Sequence, residues 1–259
     1  SSGQILLEPE YPVLHCPNLV TVVDAHRVKG WQTTQEAINI LSSYGSGLKP
    51  VMDLIRTFQP DLALSDYEFF VPRAARRAGL PCLSLDHTHI VTLARHALPF
   101  SARLSYGVTA SSIRGLFSTA RDYIVSSFFQ PPPRKGCRRV LILPPLLRET
   151  VLQHRASEGD HVVAYQGYTT FKEFIPLLKK LGRPVRIYGL GSGGRDGNLE
   201  LKASDENEFL ADLASCRYII CGGGHTLLSE AFYFGKPAIS IPIQGAFEQW
   251  INAWYVEQL

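Results

Sequence analysis

Residues 217–242 read Arg217-Tyr-Ile-Ile-Cys-Gly-Gly-Gly-His-Thr-Leu-Leu-Ser-Glu-Ala-Phe-Tyr-Phe-Gly-Lys-Pro-Ala-Ile-Ser-Ile-Pro242. The stretch begins with a short apolar run, Tyr218 to Cys221, which has the length of a buried strand rather than of a helix. Three glycines follow, and then a helical segment that ends at Gly235, with a proline two residues beyond. Ala238 to Ile241 predicts a second buried strand. A strand, a crossover helix and a strand of this length form a right-handed parallel unit, with the glycine turn at the carboxyl edge of the sheet.

The glycine turn has the features of an anion-binding site. Gly222, Gly223 and Gly224 permit backbone angles that other residues resist, and they let a ligand approach the main chain. The helix after them offers unpaired N–H groups and the positive end of its dipole, which attract phosphate, and Thr226 can cap it. Glu230 lies four residues after Thr226 on the same helix face, where it could accept hydrogen bonds from ribose hydroxyls. The alternative is an ordinary glycine-rich turn followed by a solvated glutamate.

A second block, directly after the second strand, makes the interpretation more specific. Residues 245–253 read Gly-Ala-Phe-Glu-Gln-Trp-Ile-Asn-Ala. Together the two blocks resemble the donor-site signature of GT-B glycosyltransferases, in particular of the bacterial transferases that add N-acetylglucosamine to lipid-linked muramyl peptide and of their uncharacterised relatives. In that family the first block binds the nucleotide and the second contacts the donor sugar. The resemblance implies a set of donor-binding residues: Gly222, Gly223, Gly224, His225, Thr226, Glu230, Glu248, Gln249 and Asn252.

Composition excludes several other classes of protein. The 259 residues, 45% apolar and 19% charged, suffice for one large domain or two ordinary ones with a substantial core. A net charge of +3 is too small to indicate nucleic acid binding. Five scattered cysteines without a C-x-x-C pair favour reduced thiols in the cytoplasm. No apolar run reaches the roughly 20 residues of a spanning helix, and the opening residues do not resemble a signal peptide.

In the first half, polar clusters follow two predicted strands at the point where each strand ends. Leu62 to Leu64 is followed by Ser65-Asp-Tyr-Glu68, and Cys82 to Leu85 by Asp86-His-Thr-His89. Because ligands bind at the carboxyl edge of a parallel sheet, we expect these clusters to line a site, with ordinary loop polarity as the alternative. The resembling enzymes carry similar clusters, which implies catalytic roles for Asp66 and His89. His87-Thr88 departs from the family's Asn-Gln at this place.

The segment before these strands predicts further elements. Leu19 to Val23 is a strand candidate, and a helix to about Ser43 opens with Thr33 as its cap, because Glu36 completes a capping box. The glycines of residues 45–47 predict a break before a second helix, Leu48 to Phe58.

The fold class that these patterns and the resemblance imply is α/β, of the GT-B type, with two Rossmann-like domains facing each other across a cleft. Residues 1–147 would bind the acceptor and residues 148–259 the nucleotide sugar, with the linker at Pro144 to Thr150. In the second domain a turn with Gly167 and Thr169, which can cap the next helix, approaches the donor diphosphate in related enzymes. The glycines of residues 189–194 do not open a helix, so they form a loop rather than a dinucleotide fingerprint.

The resemblance implies transfer of a sugar from a nucleotide donor, UDP-linked in that family, to an acceptor hydroxyl with inversion. No Asp-x-Asp pair or other metal motif is found, so we expect neither a metal nor a cofactor, and helix N-termini would stabilise the diphosphate. The expected partners are the donor and a sugar or lipid-linked acceptor, without nucleic acid. We expect a cytoplasmic protein, and a peripheral contact with the inner face of the membrane stays open.

Two alternatives to transfer remain. One is an epimerase or hydrolase of nucleotide sugars on the same scaffold, and the other is a non-enzymatic nucleotide-sugar-binding protein. The family's leading candidate for the base, a histidine in a Gly-x-Gly-x-x-His turn, has no match in this sequence. We therefore expect that both ends of a longer protein are absent, that donor binding persists and that transfer by this chain is poor, with His89 as the substitute base.

Overall fold

The chain folds around two parallel β-sheets, one from each half of the sequence. The structure is a computed structural model, and it describes residues 13–17, 21–137, 139–167, 171–191 and 193–259. This arrangement confirms the predicted α/β class with two sheets. Among the described residues, no helix is both long enough and apolar enough to cross a membrane.

A two-stranded hairpin precedes the first sheet. Its strands, β1 (Val23–Asp24) and β2 (Arg27–Val28), pair antiparallel. Of the strand predicted from Leu19 to Val23, the described residues 21–23 pair only at Val23, and residues 18–20 lie outside the described part. The two turn residues, Ala25 and His26, have φ of 46° and 61°. Positive φ at both central positions is the type I′ arrangement, which favours Asn and Gly because a Cβ is strained there.

We predict that Ala25→Asn stabilises the protein by about 0.5–1 kcal/mol, since Asn tolerates the left-handed region better than Ala does. The matched control is Ala203→Asn, at an exposed position outside the positive-φ set. Chemical denaturation of both variants measures the difference. A gain at Ala203 equal to that at Ala25 would contradict the strain argument.

Two helices follow the hairpin, α1 (Gly30–Ser42) and α2 (Tyr44–Phe58). The cap predicted at Thr33 is wrong, because Lys29 is at the N-cap and Thr33 lies in the first turn, where its N–H bonds to the Lys29 carbonyl. The capping-box pattern therefore lies inside the helix rather than at its start.

The predicted break at residues 45–47 is also wrong, because these residues form the first turn of α2. Packing explains the glycine at position 47. A Cβ there would come within 2.4 Å of the Phe70 ring, and that ring is fully buried. The glycine thus permits a close approach between helices rather than ending one.

The first sheet has four parallel strands, and their order in space follows the sequence. Short segments rich in apolar residues form them, and helices lie in the crossovers from the first to the second strand and from the second to the third. The strands are β3 (Ala63–Ser65), β4 (Cys82–Asp86), β5 (Asp122–Ser126) and β6 (Val140–Leu143). The helices are α3 (Phe70–Ala78), α4 (Ile90–Leu93) and α5 (Arg103–Leu116), with a 3₁₀ turn at Phe100–Ala102.

The second sheet has six strands, and one of its two edge strands runs antiparallel to the neighbouring strand. The strands are β7 (Val162–Tyr165), β8 (Val185–Tyr188), β9 (Gly194–Asp196), β10 (Leu199–Leu201), β11 (Tyr218–Cys221) and β12 (Ala238–Ser240). Their order in space is β12-β11-β7-β8-β10-β9. The helices of this half are α6 (Glu149–Gln153), α7 (Phe174–Lys179), α8 (Glu206–Ser215), α9 (His225–Tyr233) and α10 (Phe247–Val256). The predicted βαβ unit around the glycine turn is confirmed as β11, α9 and β12, which are parallel neighbours.

The two halves are packed against each other through α10. Phe247 and Ile251 of this helix are buried in the core beside the first sheet, together with Ile90 and Val125. Conversely, Phe128, which follows the third strand of the first sheet, packs against the core beside the second sheet. These exchanges hold the carboxyl edges of both sheets next to each other. The boundary at residues 147 and 148 stays a prediction.

Candidate functional site

A cavity of about 520 Å³ lies where the carboxyl edges of the two sheets meet. Both halves contribute to its wall, which contains Asp66, His87 and Thr88 from the first half and His225, Thr226 and Glu248 from the second. Parallel strands bring these residues to one place because ligand-facing loops follow their carboxyl ends. Several residues singled out from the sequence are thus neighbours in space.

The glycine turn presents the start of α9 to this cavity. The helix begins at His225 with Gly224 at its N-cap, and no side chain caps it. The cap predicted at Thr226 is therefore wrong, since Thr226 lies in the first turn and lines the cavity instead. Unpaired N–H groups and the helix dipole remain available to an anion at this end.

Gly223 is fixed by its surroundings. Its φ is +82°, and a Cβ would meet the Gln249 carbonyl oxygen and the Ser240 hydroxyl, both at 2.9 Å. Its own carbonyl accepts a hydrogen bond of 3.0 Å from the Asn252 amide. The turn therefore requires glycine for two independent reasons, backbone angle and space.

Replacing Gly223 by alanine should lower the free energy of unfolding by about 2 kcal/mol or more, because strain and the backbone clash add. Gly224→Ala is the matched control, since a Cβ there meets nothing within 4 Å. It should cost at most about 1 kcal/mol, as an ordinary change at an N-cap does. Urea denaturation compares the two, and equal losses would show that the turn can relax.

Glu230 is buried, not solvated as one interpretation of the sequence held. Its side chain is 3% exposed, and Oε1 accepts hydrogen bonds from Arg148 Nε at 3.2 Å and Nη2 at 2.7 Å. The Arg148 side chain is 49% exposed and also pairs with Glu206. The predicted linker therefore contributes a cation, Arg148, that holds the Glu230 carboxylate in place.

Of the three residues from the second block, only Glu248 lines the cavity. Its Oε2 accepts a 2.8 Å hydrogen bond from the Thr88 hydroxyl. Gln249 accepts one of 3.0 Å from the Ile243 N–H, which fixes the loop before α10. Asn252 is fully buried. The last two residues thus position the loop and the glycine turn, and their predicted contact with the donor sugar stays a prediction.

His87 lies between two hydrogen-bond acceptors. Its Nδ1 is 2.9 Å from the Ser126 carbonyl oxygen, and its Nε2 is 2.8 Å from Asn252 Oδ1. The Asn252 amide nitrogen donates to Gly223, so its oxygen must face His87. Only the imidazolium form donates from both ring nitrogens. The geometry therefore favours a positive charge in the cavity wall.

The ring of His225 stacks on that of His87, with centroids 3.8 Å apart and planes at 17°. Burial, and then the charge of His87, lower the pKa of His225 to about 3. His225 is therefore neutral near pH 7. The stack joins the end of β4 to the start of α9.

Asp66 follows β3 and lines the cavity from the first half of the chain, whereas the glycine turn belongs to the second half. Burial raises its pKa above the ordinary value, and the charges of Asp86 and Glu248 raise it further. A carboxylate with a raised pKa binds a proton more readily, which suits a general base.

His89 does not line the cavity, because its side chain is fully buried. Its Nδ1 is 2.7 Å from Asp86 Oδ2, and Nε2 has no hydrogen-bond partner among the described residues. Although burial alone would raise it, bonds from His89 and Ser84 hold the pKa of Asp86 below its usual range. His89 therefore has no access to the cleft. The expectation that it acts as a substitute base in contact with the acceptor requires such access.

The remaining predicted donor residues follow β7. Gly167 is exposed and lies outside the cavity wall, and Thr169 lies outside the described residues. The helix predicted after this turn is observed as Phe174–Lys179. Within the described part of the chain, no three His, Cys, Asp or Glu side chains are arranged to hold a metal ion.

The sequence interpretation missed Arg148 and Thr88, and it left His87 without a role. Arg148 was only part of a proline-rich linker, and its partner Glu230 is 82 positions away. His87 was visible as a departure from the family pattern, and that departure was the one available signal. Its bond to Asn252 spans 165 positions.

The chain belongs to glycosyl transferase family 1, whose family model matches residues 2–259. Two curated relatives, uncharacterized glycosyltransferases of Methanosarcina mazei and Methanosarcina acetivorans, are each 25% identical over 236 residues. These matches cover 80% of this chain and 61% of each relative, so the chain spans about 61% of their length.

Solved structures show the same fold at low identity. The glycotransferase of kitacinnamycin matches with a TM-score of 0.60 at 14% identity, covering 92% of this chain and 70% of that one. UGT2 of Phytolacca americana, complexed with UDP-2fluoro-glucose and pterostilbene, gives 0.59 at 15%, with coverage of 100% and 74%. MurG of Acinetobacter baumannii gives 0.52 at 14%, with 99% and 72%. The architecture is therefore that of GT-B glycosyltransferases, as the sequence resemblance implied.

Proposed function

We propose that this protein transfers a sugar from a nucleotide donor, UDP-linked, to an acceptor hydroxyl with inversion and without a metal ion. The observation that carries the proposal is the cavity wall, where the start of α9 and His87 lie together at the meeting of the two sheets. Family membership supports the reaction class.

The diphosphate of the donor would lie at the start of α9. Free N–H groups and the helix dipole stabilise negative charge there, and the imidazolium of His87 adds a full positive charge. This charge is fixed in place by Ser126 and Asn252. Such a set of fixed dipoles and charge performs the task that a divalent metal performs in other sugar transferases.

We assign the ribose to Glu230, which is buried outside the cavity wall but lies one helical turn after Thr226, which lines it. Both hydrogen bonds from Arg148 reach Oε1, so we assign the ribose hydroxyls to Oε2. Arg148 orients the carboxylate, so that Oε2 can accept hydrogen bonds from hydroxyl donors. Glu248, held by Thr88, would contact the donor sugar on the other side of the cavity.

Asp66 would accept the proton of the acceptor hydroxyl. The hydroxyl oxygen attacks the anomeric carbon from the face opposite the diphosphate, and a single displacement of this kind inverts that carbon. The bond to the diphosphate oxygen breaks with its electron pair, and UDP leaves. The raised pKa of Asp66 supports this assignment.

Calorimetry with UDP, before and after Glu230→Gln, tests the donor site directly. We expect the substitution to weaken UDP binding by about 1.5–3 kcal/mol, the range for a hydrogen bond to a charged group. The control is Glu206→Gln, which also removes a partner of Arg148 but leaves Glu230 in place. Equal UDP affinity in Glu230→Gln and wild type would remove Glu230 from the site.

Turnover assays separate the reaction classes. Donor alone should give little product, whereas donor with an accepted acceptor should release UDP and glycoside in equal amounts. EDTA should leave that rate unchanged, and Asp66→Asn should lower kcat far more than it raises KM. Epimerised donor without acceptor, or a rate that collapses in EDTA and returns with Mg²⁺, would overturn the proposal.

A further inference from the structure

A second cavity, of about 570 Å³, adjoins the one proposed for the donor. The two share Thr88 and Glu248 in their walls, so these residues mark the junction between them. A volume of this size suits a small organic molecule. None of the functions assigned above uses this cavity.

The wall of the second cavity has an unusual charge distribution. Most of its side chains are apolar, from the hairpin, α1, α5 and the loop before α10, and six are Ser or Thr hydroxyls. Among the described residues that line it, none is Lys, Arg or His, and Glu248 is the one carboxylate. An anionic ligand would therefore approach a negative charge with no cation in the wall to offset it.

The hairpin closes this cavity against the second half of the chain. The Val28 N–H donates to the Gln244 carbonyl at 2.8 Å, and the Gln244 N–H donates to the His26 carbonyl at 2.9 Å. Arg27 Nε also donates to Gln244 Oε1 at 2.8 Å, so its charge is directed to that amide. These bonds join the hairpin, which forms one side of the cavity, to the loop that leads to Glu248.

We infer that the second cavity binds the acceptor as a neutral, largely apolar compound, with its hydroxyl directed to the junction at Thr88 and Glu248. This inference rests on the proposed function, and it names the substrate class. Apolar side chains bury the body of the acceptor, and the wall hydroxyls bond its polar groups. At the junction the hydroxyl enters the donor cavity, where its proton passes to Asp66 as its oxygen displaces UDP from the anomeric carbon.

The test compares two naphthols, the neutral 2-naphthol and 6-hydroxy-2-naphthoate, which carries an additional carboxylate. Binding is followed by fluorescence with the full chain and with no donor present. We expect the carboxylate to bind at least tenfold more weakly than the neutral compound. Equal or tighter binding of the carboxylate would overturn the inference.

Two variants locate the binding site. Ser112, on the exposed side of α5, lines the cavity, and its neighbour Ser111 is exposed and does not. Ser112→Lys places a cation in the wall, so the ratio of the affinity for the neutral probe to that for the carboxylate should fall at least fivefold. Ser111→Lys should leave this ratio unchanged. Ala37→Trp, which fills the cavity, should weaken 2-naphthol binding at least tenfold with unchanged UDP affinity.

Thermal unfolding of each variant confirms that it is folded. The two levels of the argument can fail separately. If the wild-type protein does not bind UDP, the proposed function is overturned. Failure of Ser112→Lys and Ala37→Trp to change naphthol binding, with UDP binding intact, would overturn the acceptor assignment alone.

Discussion

Arg148→Met is expected to lower the free energy of unfolding by about 3 kcal/mol, whereas Glu230→Gln should lower it by about 1 kcal/mol. The reason is the unequal burial of the two partners, since the Glu230 side chain is 3% exposed and the Arg148 side chain 49%. Removing Arg148 leaves a buried carboxylate without its cation. Removing the charge of Glu230 leaves an arginine that water can still solvate.

Guanidinium denaturation at constant pH measures both losses. Glu206→Gln provides the matched control, because Glu206 is 49% exposed and pairs with the same arginine. This substitution should cost below about 1 kcal/mol, as exposed ion pairs do. Equal losses for Arg148→Met and Glu230→Gln would contradict the account based on burial.

The same pair shows where sequence interpretation succeeds and where it stops. The βαβ unit around the glycine turn could be predicted because its signals are local: an apolar run, three glycines and a glycine stop. The burial of Glu230 could not, because it depends on Arg148, which follows a proline-rich segment 82 positions earlier. Only tertiary packing brings that segment to α9.

Helix starts show the second limit. Thr33 and Thr226 both occur in patterns typical of caps, yet they lie four and two positions, respectively, after the N-cap residues of their helices. Backbone groups of Lys29 and Gly224 begin these helices without a side-chain bond. A cap contributes only about 1 kcal/mol, so tertiary packing readily decides where the first turn begins.

Access to the site is the third limit. Asp66 and His89 follow neighbouring strands, and their sequence contexts are equally polar. The structure separates them, because Asp66 lines the donor cavity and His89 turns into the core toward Asp86. Whether a loop side chain points outward depends on non-local packing, here on the rings of Tyr67 and Tyr123 around His89.

Lowering the pH from 7 to 5 is expected to destabilise the protein through His225 by about 2 kcal/mol. Its pKa falls from the ordinary 6.5 to about 3 in the folded state, through burial and the charge of His87. Between these values the unfolded chain binds a proton at this residue and the folded chain does not. Stability from this group is therefore complete above pH 6.5 and is lost progressively as the pH falls toward 3.

Other titrating groups act in the same window, so the test is a difference between variants. Burial also lowers the pKa of His96 and His161, which adds to the loss at low pH, whereas the raised pKa of Asp66 opposes it. Unfolding free energies of wild type and His225→Phe at pH 7 and pH 5 isolate the one residue. Phenylalanine keeps a ring that can stack on His87 and removes the titration.

The drop between pH 7 and pH 5 should be smaller in His225→Phe by about 2 kcal/mol. A drop equal to that of wild type would show that His225 is protonated in the folded protein or is solvated. The source of the charge is tested with His87→Phe, which removes the positive neighbour but keeps an aromatic ring. If the imidazolium of His87 contributes to the low pKa of His225, this variant should also lose less stability at pH 5 than wild type does. It should bind UDP more weakly as well, because the same charge would stabilise the diphosphate.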